Sequence, residues 1–220
     1  NAFLPFGKKL VRSSQGEMTT VEKLQEENQE LKQKLAEHTK LQKDNEAFRD
    51  QFEHADPPAR RLVAADIVGS PGFIPGNIPE YLIIDKGKKQ DVADGMPVVY
   101  KNMLIGKIIK ASDNFAQVML ITNKKSSITA KDQKTDALGI VKGQGGDLLL
   151  DNVILSEKLA VGDIVITHGD MTIEGKGYPP GLLIGKVSSV EKSQSALFQR
   201  ASLTPLIDIL RLSKVFIVRL

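Results

Sequence analysis

Residues 21–35 read Val-Glu-Lys-Leu-Gln-Glu-Glu-Asn-Gln-Glu-Leu-Lys-Gln-Lys-Leu, and sequence of the same kind runs from residue 18 to residue 52. The stretch contains no proline or glycine and is rich in Glu, Gln, Lys and Leu. Its apolar and Asn residues recur alternately three and four positions apart, which is the spacing of a coiled-coil seam. Elsewhere the chain consists of short apolar runs broken by Gly, Pro and polar turns. The sequence therefore predicts a helical rod followed by a β-rich body.

Two heptad registers describe the seam of the predicted coiled coil. With Val21 at position a, the first register ends with His38 at a d position. The second register begins at Leu41, three residues later, and such a stammer overwinds a coiled coil locally. We interpret His38 as a tolerated polar seam residue rather than a metal ligand. The predicted dimerisation residues are Val21, Leu24, Asn28, Leu31, Leu35, Leu41, Asn45, Phe48 and Phe52.

Polar residues in and beside the seam favour a parallel dimer. Asn28 and Asn45 both fall at position a, where a buried Asn favours two strands in register. Oppositely charged residues also occupy g positions and the e positions that follow them. Each such exposed pair contributes only ~0.2–1 kcal/mol, so the pairs bias orientation more than they stabilise. The alternative is one long helix lying on the body. The predicted interhelical pairs are Glu27 with Lys32 and Asp44 with Arg49.

The ends of the rod are marked by local signals. Thr19 and Glu22 have the spacing of a helix-starting capping box, and Ser14 with Glu17 is a second candidate. Pro57-Pro58 removes two amide donors and ends the helix. We therefore expect a juxtamembrane leader over residues 1–16 and a coiled-coil helix over residues 17–56. Phe3, Leu4 and Phe6 with the nearby basic residues suit either a membrane-flanking segment or a flexible leader.

Composition excludes several classes of site. Cysteine is absent, which excludes disulfides, thiolate metal sites and cysteine nucleophiles. No apolar run approaches the ~18 residues that a membrane-spanning helix needs, and no secretory signal is present. The net charge of +3 is small, and residues 17–56 contain eleven acids and six bases. The remaining positive charge is spread over many turns, which is a weak argument for a polyanionic partner.

After Arg61 the pattern changes to short β-branched runs separated by Gly, Pro or polar turn residues. Many short strands at this spacing are typical of sandwiches or barrels rather than of a βαβ sheet. Closed barrels also leave no exposed edge strand. The predicted strands are 62–68, 80–84, 97–100, 104–110, 116–121, 127–130, 137–142, 148–153, 164–167, 182–190, 197–203 and 214–219, with a short helical turn within 206–212.

The body also repeats one order of features: an apolar strand ending in Asp, a turn glycine, a short strand and a Leu-Ile-Gly-Lys strand. The first copy uses 82–85, Gly95 and 104–107, and the second uses 148–151, Gly162 and 183–186. Two copies imply two related barrels of about six strands. Gly106 and Gly185 lie inside strands, which indicates a sharp bend or bulge. We expect a first β-barrel over 62–131 and a second over 136–220, or a second barrel inserted in the first with the last strand returning to it.

Two stretches of the second copy resemble the MreC family of rod-shape-determining proteins. Residues 162–169 read Gly-Asp-Ile-Val-Ile-Thr-His-Gly, and the family pattern is Gly-Asp-x-Val-x-Thr-Ser-Gly. Residues 178–187 contain the family's Pro-x-Gly-x-x-Ile-Gly-x-Val pattern. With the first β segment and the preceding coiled coil, the resemblance covers nearly the whole chain. It departs at His168, where Ser is common, and in a longer 170–177 loop. The residues that we assign to the family motif are Gly162, Asp163, Pro180, Gly181 and Gly185.

The resemblance implies a non-catalytic scaffold that organises lateral peptidoglycan synthesis and so maintains cell shape. Such proteins are anchored by one N-terminal membrane span, with the coiled coil and barrels outside the cytoplasm. It also implies a mainly β fold with two six-stranded barrels in a chymotrypsin-like arrangement, dimerisation through the helix and further assembly through the barrels. The partners it implies are MreD, the MreB filament, RodZ, RodA and class B penicillin-binding proteins.

Rival functions find less support in the residues. A chymotrypsin-like serine protease takes its base from the first barrel, whereas the body's one histidine, His168, lies in the second copy. Neither Gly-Asp-Ser-Gly nor Gly-x-Ser-x-Gly occurs. A barrel that binds nucleic acid needs a basic groove with stacking aromatics, and the body has no tryptophan and only short basic turns. We therefore expect no catalytic residue, no metal site, no cofactor and no nucleic acid partner.

Overall fold

The computed structural model describes residues 12–54, 61–173, 176–193 and 195–219, with side chains described from 22 to 48 in the helix and from 62 onward in the body. The chain divides into two compact units, Asn1–Arg49 and Asp50–Leu220. Helix α1 (Arg12–His54) supplies the first, and the β-strands supply the second.

Helix α1 begins earlier than the sequence predicted. It starts at Arg12, so residues 12–16, assigned to a leader, are helical, and neither proposed capping box is its start. No proline interrupts this stretch, and a single Gly16 weakens a helix without stopping it. The helix ends at His54, shortly before Pro57-Pro58. The predicted leader residues Phe3, Leu4 and Phe6 lie outside the described residues. In the described part of the chain, no helix has the length and apolar character required to cross a bilayer.

The described part of the body contains twelve strands, and each predicted strand is present within two residues of its predicted bounds. Short 3₁₀ turns occupy Lys88–Gln90 and Ile209–Arg211. The strands are β1 (Arg61–Gly69), β2 (Tyr81–Ile84), β3 (Pro97–Tyr100), β4 (Met103–Ala111), β5 (Ala116–Leu120), β6 (Ser127–Asp132), β7 (Leu138–Gly143), β8 (Leu148–Ile154), β9 (Ile164–Thr167), β10 (Leu183–Glu191), β11 (Phe198–Pro205) and β12 (Lys214–Arg219).

The strands form two closed antiparallel rings of six. In the first barrel the order is β1-β2-β5-β4-β3-β12, and β12 pairs again with β1. In the second barrel the order is β6-β7-β8-β11-β10-β9, and β9 pairs again with β6. A single parallel bridge between Leu183 and Met103 links β10 to β4. Closure of both rings satisfies the strand edges.

The last strand returns to the first barrel, which was one of the two paths left open by the sequence. β12 lies between β1 and β3, and the second barrel is inserted between β5 and β12. Strand β6, which the boundary at residue 131 assigned to the first barrel, pairs with β7 and β9 instead. Burial explains the path of β12: Val215 and Ile217 pack in the first core, whereas Phe216 and Val218 pack in the second. A strand buried on both faces belongs between two cores.

The two barrels repeat each other in detail. The Gly95 amide donates to the Ile108 carbonyl at 2.8 Å, and the Gly162 amide donates to the Val187 carbonyl at 2.9 Å. Both glycines have positive φ, and β4 and β10 carry a bulge at the same point after their internal glycine. By this correspondence β1–β5 match β7–β11, and β12 matches β6. The first barrel therefore takes its sixth strand, β12, from beyond the second barrel, whereas the second barrel takes β6 from directly before β7.

Candidate functional surfaces

Helix α1 presents the predicted seam to solvent. Leu24, Leu31, Leu35 and Leu41 are 58–67% exposed, although leucine is among the residues most often buried. Asn28, Asn45, His38 and Phe48 are also exposed. The side chains of Val21, Phe52 and Arg49 lie outside the described residues. A row of exposed leucines at this spacing marks a helix face that is suited to a partner helix.

Two interactions within the helix bear on its pairing. Lys34 forms an ion pair with Glu30 one turn earlier, with 2.7 Å between Nζ and Oε1. The Thr39 hydroxyl donates to the Leu35 carbonyl at 2.8 Å, and such back-bonding tends to bend helices. Thr39 lies within the predicted stammer. The interhelical pairs of Glu27 with Lys32 and of Asp44 with Arg49 stay predictions.

The family-motif residues in the second barrel lie around strand β9. Gly162 takes a φ of +94° in the turn before β9. Asp163 is buried, accepts the Ala160 amide at 2.8 Å through Oδ2, and pairs with Lys134 at 2.8 Å through Oδ1. The hydrogen bond from Lys134 lowers the pKa of Asp163 below its ordinary value. This carboxylate fastens the β9 turn to the β6–β7 turn.

The buried side chain of Thr167 forms hydrogen bonds on both sides of the Pro180–Gly181 turn. The Thr167 hydroxyl donates to the Pro179 carbonyl at 2.6 Å and accepts the Leu182 amide at 2.9 Å. The Gly181 amide donates to the Thr167 carbonyl at 3.0 Å, and Gly181 has a φ of +84°. Pro180 and Gly181 thus form a tight turn that leads into β10. The proline of the family's Pro-x-Gly pattern is Pro179, the residue that accepts from Thr167, rather than Pro180. Sequence analysis did not single out Thr167, although the family pattern contains it.

The same turn joins the two barrels. The Asn102 side-chain amide donates to the Gly181 carbonyl at 3.3 Å, and the Leu183 amide donates to the Asn102 carbonyl at 2.8 Å. Gly185 follows inside β10, where an added Cβ would lie 3.0 Å from the Thr204 carbonyl oxygen. The Pro180–Gly181 turn is therefore part of the junction between the barrels, whereas Gly162 and Asp163 lie at a contact between two turns of the second barrel.

The long 170–177 loop makes a second link between the barrels. The Gly177 amide donates to the Gly95 carbonyl at 3.2 Å. The adjacent Tyr178 is buried, which raises the pKa of its phenol, and the Lys107 ammonium group lies 5.3 Å from its ring centre. His168 is exposed, and its backbone amide donates to the Thr129 carbonyl at 3.0 Å. Among the described residues, no group of three or more His, Asp or Glu side chains could hold a metal ion.

An apolar row on the outer face of the second barrel was not predicted. Ile154 and Phe198 are register partners on β8 and β11, and both are about half exposed. Leu197, next to Phe198 in the chain, is 81% exposed. Exposed apolar groups that cluster in this way mark contact surfaces. The sequence signal that could have revealed this row was the presence of apolar residues at strand positions that face outward.

The barrel body matches known proteins. The family model for "Rod shape-determining protein MreC, barrel core" covers residues 74–219, well over half of the chain. The chain belongs to the MreC family. A cell shape-determining protein MreC from Haemophilus influenzae is 31% identical over 141 residues, which cover 63% of this chain and 39% of that protein. An MreC protein from Listeria monocytogenes is 29% identical over 212 residues, which cover 88% of this chain and 68% of that protein.

Solved MreC structures share the fold. An MreC structure from Listeria monocytogenes aligns with a TM-score of 0.64 and 28% identity, over 89% of this chain and 93% of that chain. Another MreC structure aligns with a TM-score of 0.71 and 23% identity, over 81% and 99% of the two chains. A chain of the complex between a penicillin-binding protein (PBP2) and MreC from Helicobacter pylori aligns with a TM-score of 0.56 and 16% identity, over 72% and 98%. These relatives are named as MreC or cell shape-determining proteins, and none is named as an enzyme.

Proposed function

We propose that this MreC chain is a non-catalytic, dimeric scaffold that is anchored to the cell membrane and organises peptidoglycan synthesis outside the cytoplasm. The proposal of a dimer rests on the row of exposed leucines on α1, which a parallel partner helix would cover. Parallel pairing places both N-termini on one side, as two anchors in one membrane require. The chymotrypsin-like relation of the barrels is part of the same proposal.

In the proposed mechanism the protein acts by holding its partner enzymes in place. A dimer presents every barrel surface twice, so weak contacts with membrane-bound enzymes gain from effective concentration. Class B penicillin-binding proteins are the proposed enzyme partners, because an MreC protein of the same fold forms a complex with the penicillin-binding protein PBP2 in Helicobacter pylori. The outer apolar row of Ile154, Leu197 and Phe198 offers exposed apolar surface for such a contact. MreD, MreB, RodZ and RodA are proposed as further partners by family.

The dimer is tested by sedimentation equilibrium of the Leu31→Lys, Leu35→Lys double variant. Lysine at seam positions brings charges together in the interface, and we expect a monomer where the unmodified chain is a dimer. The matched control is Gln29→Lys with Gln33→Lys, which adds the same charge at outward b and f positions and should stay dimeric. A dimer that survives the seam substitutions would show that the barrels dimerise instead.

The absence of catalysis is tested separately, with a fluorophosphonate that labels activated serines. We expect no labelling of the folded chain above that of the heat-denatured chain. Stoichiometric labelling of one serine would overturn the non-catalytic part of the proposal and leave the dimer standing.

A further inference from the structure

A groove lies where the β1–β2 loop meets the loops of the second barrel. Its volume is about 500 Å³, within the range of ~300–1,000 Å³ that is usual for ligand sites. One wall is the loop from Pro71 to Tyr81, and the other contains Lys124, Gln144 and Gly145. The family motif and the helix seam contribute no residue to this lining.

The loop wall is preorganised. Backbone hydrogen bonds from Phe73 to Ser70 at 3.2 Å and from Asn77 to Ile74 at 3.0 Å form two consecutive turns. The Ser70 hydroxyl donates to the Tyr81 carbonyl at 3.1 Å and holds the two ends of the loop together. A loop fixed in this way loses little conformational entropy when a ligand binds.

The loop exposes apolar side chains beside the groove. Phe73 is 42% exposed and Ile74 is 62% exposed, and the ring of Tyr81 is partly exposed at the edge of β2. Pro71 and Ile78 extend this apolar lining. An apolar side chain of a ligand would therefore find a ready contact on this wall.

The groove also holds one acidic and one basic side chain. Glu80 and Lys124 are both exposed, and among the described residues neither forms an ion pair. They stand on facing segments, because the Glu80 carbonyl accepts the Asn123 side-chain amide at 3.4 Å and the Leu120 amide at 3.1 Å. A ligand of a single charge would satisfy one of these groups and be repelled by the other. A ligand that carries both charges complements the site.

We propose that this groove binds an extended peptide segment of a partner protein, with an apolar residue flanked by one acidic and one basic side chain. The apolar residue packs on Phe73 and Ile74, the acidic group pairs with Lys124, and the basic group pairs with Glu80. Binding at a single groove is weak because exposed ion pairs contribute little, but two grooves in a dimer raise the avidity. The inference extends the proposed scaffold and does not depend on the helix seam.

The test is an NMR titration of the full ¹⁵N-labelled chain with three synthetic peptides. Two carry the charges in opposite orders, Glu-Leu-Lys and Lys-Leu-Glu, and the third is Gln-Leu-Gln; all three have glycine flanks and blocked ends. We expect saturable shifts at the amides of Gly72, Asn77, Lys124 and Gly145. One charged peptide should bind about threefold to fivefold more tightly than Gln-Leu-Gln.

Exchanging the charges of residues 80 and 124 tests whether the two side chains select the bound peptide. The Glu80→Lys, Lys124→Glu variant keeps the net charge and should reverse the preference between Glu-Leu-Lys and Lys-Leu-Glu. The control exchange, Lys110→Glu with Asp113→Lys, lies at the β4–β5 turn outside the groove and should leave the preference unchanged. Equal binding of Gln-Leu-Gln, an unreversed preference, or shifts confined to other surfaces would overturn the proposal, and so would the lack of any saturable shift. The seam variant Leu31→Lys, Leu35→Lys should retain binding, so this test and that of the dimer fail independently.

Discussion

The ammonium group of Lys214 lies 2.5 Å from Oδ1 of Asp66 and ties the last strand of the chain to the first strand of the body. The two residues are register partners on β12 and β1. The Lys214 side chain is 9% exposed and that of Asp66 is 27% exposed. Removing one partner from such a pair leaves a poorly hydrated charge behind.

We expect Lys214→Met to lower the free energy of unfolding of the body by about 1–3 kcal/mol, less than for a fully buried pair because Asp66 keeps some contact with water. Urea unfolding followed by circular dichroism measures the change. Lys131→Met is the matched control, because Lys131 pairs with an Asp136 side chain that is 72% exposed, and it should cost much less. Equal losses in the two variants would show that the Lys214 pair does not stabilise β12.

The equivalent glycines of the two barrels should differ in their tolerance of alanine. A Cβ at Gly106 would lie 2.2 Å from the Met119 carbonyl oxygen, whereas a Cβ at Gly185 would lie 3.0 Å from the Thr204 carbonyl oxygen. Gly106→Ala therefore forces β4 and β5 apart and should cost about 3 kcal/mol or more, while Gly185→Ala should cost about 1 kcal/mol. Thermal and urea unfolding of the two variants measure this order, and the reverse order would contradict the packing argument.

Replacing Thr167 by valine should destabilise the second barrel through two lost hydrogen bonds. Valine has nearly the same shape, but it leaves the Pro179 carbonyl and the Leu182 amide without their side-chain partner. We expect a loss of about 2–3 kcal/mol in the free energy of unfolding. Thr167→Ser keeps the hydroxyl and should cost about 1 kcal/mol for the lost methyl group. If Thr167→Ser lowered the free energy of unfolding more than Thr167→Val, packing rather than hydrogen bonding would stabilise this turn.

The stability of the body should fall in acid partly because of Asp163. The hydrogen bond from Lys134 holds the folded-state pKa of Asp163 below its ordinary 3.8, so the unfolded chain binds more protons between the two values. The stabilisation is fully present above the unfolded pKa and is lost as the pH falls through the folded pKa. The free energy of unfolding should therefore depend less steeply on pH below about pH 4 in Asp163→Asn than in the unmodified chain. Lys134→Met should show the same shallower dependence, and parallel curves for all three proteins would contradict this assignment.

The strands were predictable because their signals are local. On β5, from Ala116 to Leu120, four of five residues are apolar, and turn residues mark both ends of this short run. The correspondence of the two barrels was also readable, because Gly106 and Gly185 occur within the same Leu-Ile-Gly-Lys tetrapeptide. Local patterns of this kind predict which segments form strands, but they do not predict which strands pair with each other.

The route of β12 and the surfaces of the body required the structure. Pairing of β12 with β1 joins residues about 150 positions apart, and no local pattern specifies such a contact. The continuous apolar run from Val215 to Val218 was the available signal, since it indicates burial on both faces. The groove combines Glu80 of the first barrel with Gln144 and Gly145 of the second, so it could not be recognised before the barrels were placed together. The early start of α1 was missed because a capping box is a weak signal when no helix breaker precedes it.

The return of β12 also fixes the order in which the barrels can be completed during synthesis. All six strands of the second barrel lie within residues 127–205, so its ring can close before β12 leaves the ribosome. The first five strands of the other barrel are made earlier, yet β1 and β3 must wait with open edges for the last strand. Open edges are templates for wrong pairing between chains. The first barrel is thus translated first but closes last. In a nascent chain it is therefore the half of the body that is most prone to wrong strand pairing.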